Sequence, residues 1–116
     1  MTPSLQITLE SRAEGVVMWL QGRIDIESSP QWRDQLLALL RTDFPPKTIV
    51  IDLSAIDYMD TSGIATLLEV LKIATVRGMA MRLQGVQGRL LHLLQATGIG
   101  SLFGDTARHR SAVKVS

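Results

Sequence analysis

The sequence predicts a single α/β domain built on a mixed, mostly parallel β-sheet of four to five strands with about three to four helices. Two observations support this prediction. Through most of the chain, segments typical of strands are followed by segments with helical periodicity. One of them, "KTIVIDLS" (47–54), is apolar almost without a break until Asp52, as a strand buried on both faces of a sheet would be. The length of 116 residues is sufficient for one domain with a modest core.

The first elements are a hairpin and a helix. "LQITLE" (5–10) and "VVMWLQG" (16–22) are separated by a short turn, which predicts two antiparallel strands. Ser29 is a suitable helix N-cap, and Pro30 suits the first position of a helix. We expect the helix "QWRDQLLALLR" (31–41) to follow them, with its large apolar residues on one face.

The remaining elements repeat a strand–helix pattern, which predicts parallel strands joined by helical crossovers. We expect "AIDYMDTSG" (55–63) to be a loop, and the helix after it to end at Gly78. We assign residues 1–104 to the domain and expect 105–116 to be a mobile C-terminal tail. The predicted elements are a strand at 47–54, a helix at 62–77, a strand at 79–86, a helix at 88–98 and a candidate fifth strand at 101–103.

The composition excludes several classes of function. The formal net charge is +1, from 12 basic and 11 acidic side chains, which gives no sign of a nucleic-acid partner. Without cysteine, the chain forms neither a disulfide nor a thiolate zinc site. No apolar run approaches the ~20 residues of a membrane helix, and the first residues lack an apolar signal segment. We therefore expect a cytoplasmic protein without direct membrane insertion.

The candidate catalytic residues do not form a known pattern. Asp52 ends an apolar strand like the phosphate-accepting aspartate of a receiver domain, but the acidic pair and the late lysine of a receiver are missing. We interpret Asp52 instead as a strand-end acid that hydrogen-bonds the neighbouring loop. A serine nucleophile needs a base, yet His92 lies in an apolar helix and His109 in the tail. The histidines lack metal-ligand spacing, so we predict that the protein has no metal site. Because the sequence shows no catalytic base, metal cluster or cofactor loop, we also predict that it binds no cofactor and is not an enzyme.

One catalytic alternative stays open at this point. Asp25, Asp57 and Asp60 could converge to give a pair of carboxylates for acid–base chemistry. Nothing else in the sequence supports catalysis.

The helix at 62–77 is apolar on two sides. A helix of this kind is either unusually buried or in contact with another protein. Both interpretations stay open, the first as a helix wedged under a loop and the second as a partner surface. The core stripe would comprise Ile64, Leu67, Leu68, Leu71 and Ala74, while Val70, Ile73 and Val76 lie off that stripe among Thr66, Glu69, Lys72 and Arg77.

The junction "MDTSG" places an acid, two hydroxyls and a glycine at the start of this helix. Asp60 or Thr61 is a good N-cap, and Gly63 lets neighbouring backbone pack closely. A helix N-terminus also stabilises a phosphate through its free N–H groups and its dipole. A phosphate on one of these hydroxyls would add about −1.5 to −2 charges beside Asp60. This arrangement favours a switch over a catalyst.

Several spaced segments together resemble the STAS domain, in particular the anti-sigma-factor antagonists. These segments are "LQGRIDIESSPQWRDQL", which includes Gly22 and Asp25, then "IVIDLS", "MDTSG" and "GRLLHLLQATGIGSLF". The resemblance covers roughly residues 5–104. It implies a non-catalytic protein that binds an anti-sigma factor, itself a serine/threonine kinase, and that is released when the kinase phosphorylates the junction.

Carried over to this chain, the resemblance implies phosphorylation at Thr61, with Ser62 as a second candidate. The oligomeric state is expected to be a monomer or a weak dimer. Threonine at the acceptor position, and "LQGV" (83–86), are also similar to small STAS subunits that bind the ATPase of lipid-transporting ABC systems. The expected junction and partner-binding residues are Asp25, Asp60, Gly63, Thr66, Glu69, Val70 and Ile73.

Overall fold

The computed structural model describes residues 4–99. The predicted fold class is confirmed within this range, while the candidate strand at 101–103 and the tail at 105–116 lie outside the described residues. The described elements are β1 Leu5–Arg12, β2 Gly15–Ile24, α1 Ser29–Leu40, β3 Thr48–Met59, α2 Thr61–Val76, β4 Ala80–Gln84 and α3 Gly88–Thr97.

The four strands lie side by side in the order β1-β2-β3-β4. The predicted hairpin is confirmed, since β1 pairs antiparallel with β2. Strands β2, β3 and β4 run parallel to one another. Because α1 and α2 connect consecutive parallel strands, both helices return the chain to the same end of the sheet. The carboxyl ends of β2 and β3 therefore meet at one edge, where the candidate site lies.

One face of the sheet carries the core. Alternate residues of β2, β3 and β4 point to this face, and α1 and α2 pack against it and against each other. Burying these side chains supplies most of the stability of such a domain. The fully buried residues of this cluster include Met18, Leu20, Trp32, Leu36, Leu40, Ile49, Ile51, Leu53, Leu67, Val70, Ala74 and Leu83.

Strand β3 is longer than predicted. The expected loop at 55–63 is wrong, because β3 continues through Met59. Its pairing with β2 shifts register twice, between Trp19 and Gln21 and between Gly22 and Arg23. Each shift inserts an extra β3 residue, which breaks the period-two alternation by which a strand is recognised. As a result, Asp60 follows a strand directly and α2 begins at the next residue.

Asp52 lies inside β3, so its predicted position at the end of a strand is also wrong. Its residue exposure is only 5%. Its carboxylate accepts hydrogen bonds from the Ser54 amide at 3.0 Å and from the Ser54 hydroxyl. The other oxygen accepts from the Gln84 side chain at 2.8 Å. The expectation that Asp52 hydrogen-bonds the neighbouring loop is wrong, because its partners Ser54 and Gln84 lie in strands β3 and β4, and the carboxylate joins these two strands.

Candidate functional site

Asp60 is the N-cap of α2, as one of the two sequence alternatives predicted. Its carboxylate accepts from the Ser62 amide at 2.9 Å and from the Ser62 hydroxyl. Its own amide donates to the Ile24 carbonyl at 3.1 Å, which ties the cap to the end of β2. The Ser62 hydroxyl, and then the amides of Ser62, Gly63 and Ile26, lower the pKa of Asp60 against an opposing effect of desolvation. Asp60 is therefore ionised at neutral pH.

The two candidate acceptor hydroxyls lie in different environments. Thr61 is exposed, and within residues 4–99 its hydroxyl makes no hydrogen bond. Ser62 is half-buried; its hydroxyl donates to Asp60 and lies 2.8 Å from the hydroxyl of Ser29 in α1. An incoming group therefore reaches Thr61 more readily than Ser62.

Asp25 organises the turn between β2 and α1. Its carboxylate accepts from the amides of Glu27 at 3.0 Å and Ser28 at 3.1 Å. These bonds, chiefly the one from the Ser28 amide, lower the pKa of Asp25. Arg23 lies 3.5 Å from the same carboxylate and also covers the ring of Tyr58, 4.9 Å from its centroid. The carboxylate is thus held in its charged form.

The alternative of an acid–base pair formed by Asp25 and Asp60 loses its support here. Two carboxylates that share a proton raise the pKa of one member. The structure lowers the pKa of both, because each caps its own turn with hydrogen bonds from N–H and O–H donors. Asp57 is exposed on β3. Asp25 and Asp60 therefore stabilise the starts of two adjacent helices, α1 and α2.

Gly63 lies where a side chain would not fit. A β-carbon at this position would lie 2.5 Å from Met59 Cγ and 2.8 Å from Ile24 Cγ2. The predicted close packing at Gly63 is therefore observed, although the nearest neighbours are side chains. The missing β-carbon lets the first turn of α2 sit directly on the ends of β2 and β3.

The predicted division of α2 into a core stripe and an outer stripe is wrong at Val70. Val70 is 0% exposed, and Thr66 is also buried, with its hydroxyl donating to the Ser62 carbonyl at 2.9 Å. Ile73 is half-buried, while Val76 is 87% exposed. Because α2 contacts both the sheet and α1, its buried arc is wider than the pattern indicated. Neither Val70 nor Thr66 is accessible to a partner in this conformation.

Glu69 is already paired within the chain. Arg33 of α1 donates from Nε to Oε1 at 2.7 Å and from Nη2 to Oε2 at 2.5 Å. This two-point contact with Arg33 lowers the pKa of Glu69. The two residues are 36 positions apart, so no local pattern in the sequence could have revealed Arg33 as part of this surface.

Two exposed apolar residues beside the junction were not identified from the sequence. Ile26 is 76% exposed and Tyr58 is 45% exposed. Ile26 lies in the Asp25 turn, and its amide reaches the Asp60 carboxylate. An isoleucine between acids in a polar turn was the available signal, but it was a weak one, because single exposed apolar residues are common on protein surfaces.

Comparison with known proteins agrees with this architecture. The family model of the STAS domain matches residues 6–113. The anti-sigma-B factor antagonist of Bacillus subtilis (strain 168) is 22% identical over 111 residues, covering 96% of this chain and 99% of that protein. The Bacillus cell fate determinant SpoIIAA, solved in its phosphorylated form, superposes with a TM-score of 0.68 at 21% identity and covers 84% of this chain and 87% of its own.

A protein of the sulfate transporter family from Wolinella succinogenes has the same fold, with a TM-score of 0.64 at 23% identity over 78% of this chain and 72% of its own. Among residues 4–99, no helix is long and apolar enough to cross a membrane. The family match spans nearly the whole sequence, and the superpositions on solved structures agree with it in fold. This chain belongs to the STAS domain family.

Proposed function

We propose that this protein is an anti-sigma-factor antagonist, a non-catalytic protein that binds a serine/threonine-kinase-type anti-sigma factor and is released by phosphorylation at Thr61. The similarity to the anti-sigma-B factor antagonist of Bacillus subtilis supports the antagonist role. The phosphorylated SpoIIAA structure supports a role for phosphate in this fold. Partners of this kind work in the cytoplasm, so the proposal places the protein there.

The observation that carries the proposal is the contrast between Thr61 and Ser62. Thr61 presents an exposed hydroxyl at the first position of a 16-residue helix. Kinase chemistry needs a hydroxyl that can reach the γ-phosphate in line with the leaving oxygen. Ser62 is held by Asp60 and Ser29. We therefore choose Thr61 over Ser62 as the acceptor.

A phosphate at Thr61 would be tolerated by the fold and would change its surface. The N-terminus of α2 favours a negative charge, so the helix need not unfold. The phosphate adds about −1.5 to −2 charges beside the ionised Asp60. A partner that packs on the exposed side chains of Ile26 and Tyr58 would then meet a dense negative charge nearby. Release follows from repulsion and from the cost of removing water from that charge.

The experiment combines phosphorylation with binding. The protein is incubated with a kinase-type anti-sigma factor, ATP and Mg²⁺, and the modified residue is mapped by mass spectrometry. We expect phosphate on Thr61 in the natural protein and in Ser62→Ala, and none in Thr61→Ala. Thr61→Glu should bind the kinase at least tenfold more weakly, while Thr61→Val, of similar shape and without charge, should retain binding.

Two outcomes would contradict the proposal. Phosphate on Ser62 alone would show that the exposure argument selects the wrong hydroxyl. A lack of modification, together with undiminished binding by Thr61→Glu, would remove the switch altogether.

A second candidate is a STAS subunit that regulates a transporter by binding its ATPase. The likeness to a sulfate transporter family protein supports a use of this fold in transport. In this case α2 would present the contact, and Thr61 would serve as a contact residue. Recovery of a transporter ATPase, and of no kinase, with the tagged protein from its native cells would favour this function.

A further inference from the structure

The hydroxyl of Ser29 is buried where α1 meets α2. Ser29 is 5% exposed, and its Oγ lies 2.8 Å from the Oγ of Ser62. The sequence indicated Ser29 as a helix cap, but Ser28 is the N-cap and Ser29 is the first residue of α1. The Ser29 side chain therefore crosses to the next helix instead of closing its own.

The available protons determine the direction of this contact. Ser62 has one hydroxyl proton, and it is donated to Asp60. The Asp60 carboxylate has no proton to give in return, since its hydrogen bonds keep it ionised. Ser29 must therefore donate to Ser62. The three side chains form a chain of donors that ends on the carboxylate, and each bond polarises the next.

We propose that Ser29 is a positioning residue of the junction, which holds the Ser62 hydroxyl on Asp60 and so fixes the acid beside Thr61. This inference rests on the proposed function only in taking Thr61 as the modified residue. Because the Ser62 hydroxyl is engaged both as donor and as acceptor, it works as a link between helices. Thr61 is left as the hydroxyl available to phosphate.

The neighbouring Ser28 provides a matched control. Ser28 is 2% exposed, and its hydroxyl accepts from the Asp25 amide at 3.0 Å and donates to the Arg23 carbonyl at 2.8 Å. It also lies 3.3 Å from the Asp25 carboxylate. Two adjacent buried serines thus contact different acids: Ser28 hydrogen-bonds Asp25, and Ser29 is connected to Asp60 through Ser62.

The charged groups around the two acids keep them distinguishable. The donors that reach Asp60 are the uncharged Ser62 hydroxyl and the amides of Ser62, Gly63 and Ile26. Asp25 has in addition the guanidinium of Arg23 at 3.5 Å. A change in the titration midpoint of Asp60 therefore reports on the hydrogen bonds that link Ser29, Ser62 and Asp60.

The test is an NMR titration of the side-chain carboxyl carbons in the natural protein, Ser29→Ala and Ser28→Ala. In Ser29→Ala we expect the titration midpoint of Asp60 to rise while that of Asp25 stays in place. In Ser28→Ala we expect the midpoint of Asp60 to stay in place, because the Ser28 hydroxyl bonds within the turn that begins at Asp25, to the Asp25 amide and the Arg23 carbonyl. Ser29→Thr keeps the hydroxyl and should retain the natural midpoint of Asp60, while Ser62→Ala should raise it further than Ser29→Ala does. No change at Asp60 in Ser29→Ala, or equal changes at both acids, would overturn the inference.

A second measurement addresses the switch and does not depend on a partner. Thr61→Glu places a charge beside Asp60, and we expect it to move the amide resonances of Ser28 and Ser29 at the start of α1, which the Ser29–Ser62 hydrogen bond connects to Asp60. In the Ser29→Ala background these movements should shrink at least twofold, because the hydroxyl link is gone. Resonance movements of the same size with and without the Ser29 hydroxyl would refute the coupling between Ser29 and Asp60. Failure of kinase modification at Thr61 would reject the proposed function and leave the titration result standing.

Discussion

Replacing Val70 by alanine tests which side of α2 is buried. The sequence pattern placed Val70 and Val76 on the same outer stripe, whereas the structure gives exposures of 0% and 87%. Val→Ala removes two carbon atoms, and each buried carbon contributes about 0.8 kcal/mol. The cavity left behind adds about 1 kcal/mol for roughly 50 Å³ of lost volume. We therefore expect Val70→Ala to lower the free energy of unfolding by about 2–3 kcal/mol.

Val76→Ala is the matched control, because it makes the same chemical change in the same helix. Both variants gain the same small helix propensity of alanine over valine, so their difference isolates burial. We expect Val76→Ala to lie within about 0.5 kcal/mol of the natural protein. Urea titrations followed by the fluorescence of Trp19 and Trp32 should show a lower midpoint for Val70→Ala with an unchanged slope. The melting temperature should fall by about 8–12 °C.

A loss below about 1 kcal/mol for Val70→Ala would refute this reasoning. It would mean that α2 is rotated relative to the sheet and that Val70 is a surface residue. The outer stripe would then become available to a partner again, and Val70→Glu would be the appropriate binding mutant. In the structure described here, Val70→Glu instead places an unpaired carboxylate in the core and should unfold the protein.

Three further predictions concern the junction and its supports. Gly63→Leu should lower the free energy of unfolding by roughly 3 kcal/mol or more, because even a β-carbon there lies 2.8 Å from Ile24. If urea titrations show a decrease below about 1 kcal/mol, the side chains around Gly63 can move apart and the reasoning fails. Arg33→Ala should lower the melting temperature slightly at low salt and not at high salt, since the side chains of Arg33 and Glu69 are both 41% exposed. A decrease in melting temperature that does not depend on salt would contradict an electrostatic origin. The pKa of Asp60 is lowered from 3.8 in the folded chain, so the unfolded chain takes up the proton first and stability should fall as the pH drops below about 4. Asp60→Asn should flatten this fall in melting curves between pH 6 and 3, and a fall of equal size in that variant would assign it to other carboxylates.

The parts of the fold that follow from local patterns could be predicted from the sequence. The hairpin of β1 and β2 and the parallel order of the strands were predicted, because alternation and turn residues act over a few positions. Local residue types also limited the N-cap of α2 to Asp60 or Thr61, and the structure has Asp60. The end of β3 was missed, since its bulges come from pairing with β2 and leave no regular period in the sequence.

The tertiary partners in the candidate site could not be predicted. Arg33 and Glu69 are 36 residues apart, and Ser29 and Ser62 are 33 apart. The position of Val70 was misjudged because the buried arc of α2 depends on two neighbours, α1 and the sheet. Patterns in one helix do not reveal how many surfaces that helix will contact.

The direct passage from β3 into α2 limits how another protein can recognise Thr61. Asp60 is hydrogen-bonded to Ile24, and the helix starts at once, so the segment around Thr61 is not an extended peptide. Under the proposed function, a kinase that modifies Thr61 would have to recognise the assembled surface formed by two strand ends and two helix starts. A short peptide copied from residues 55–68 would lack that surface and would be a poor substrate. Under the proposed function, recognition of this kind would restrict phosphorylation to correctly folded copies of the protein.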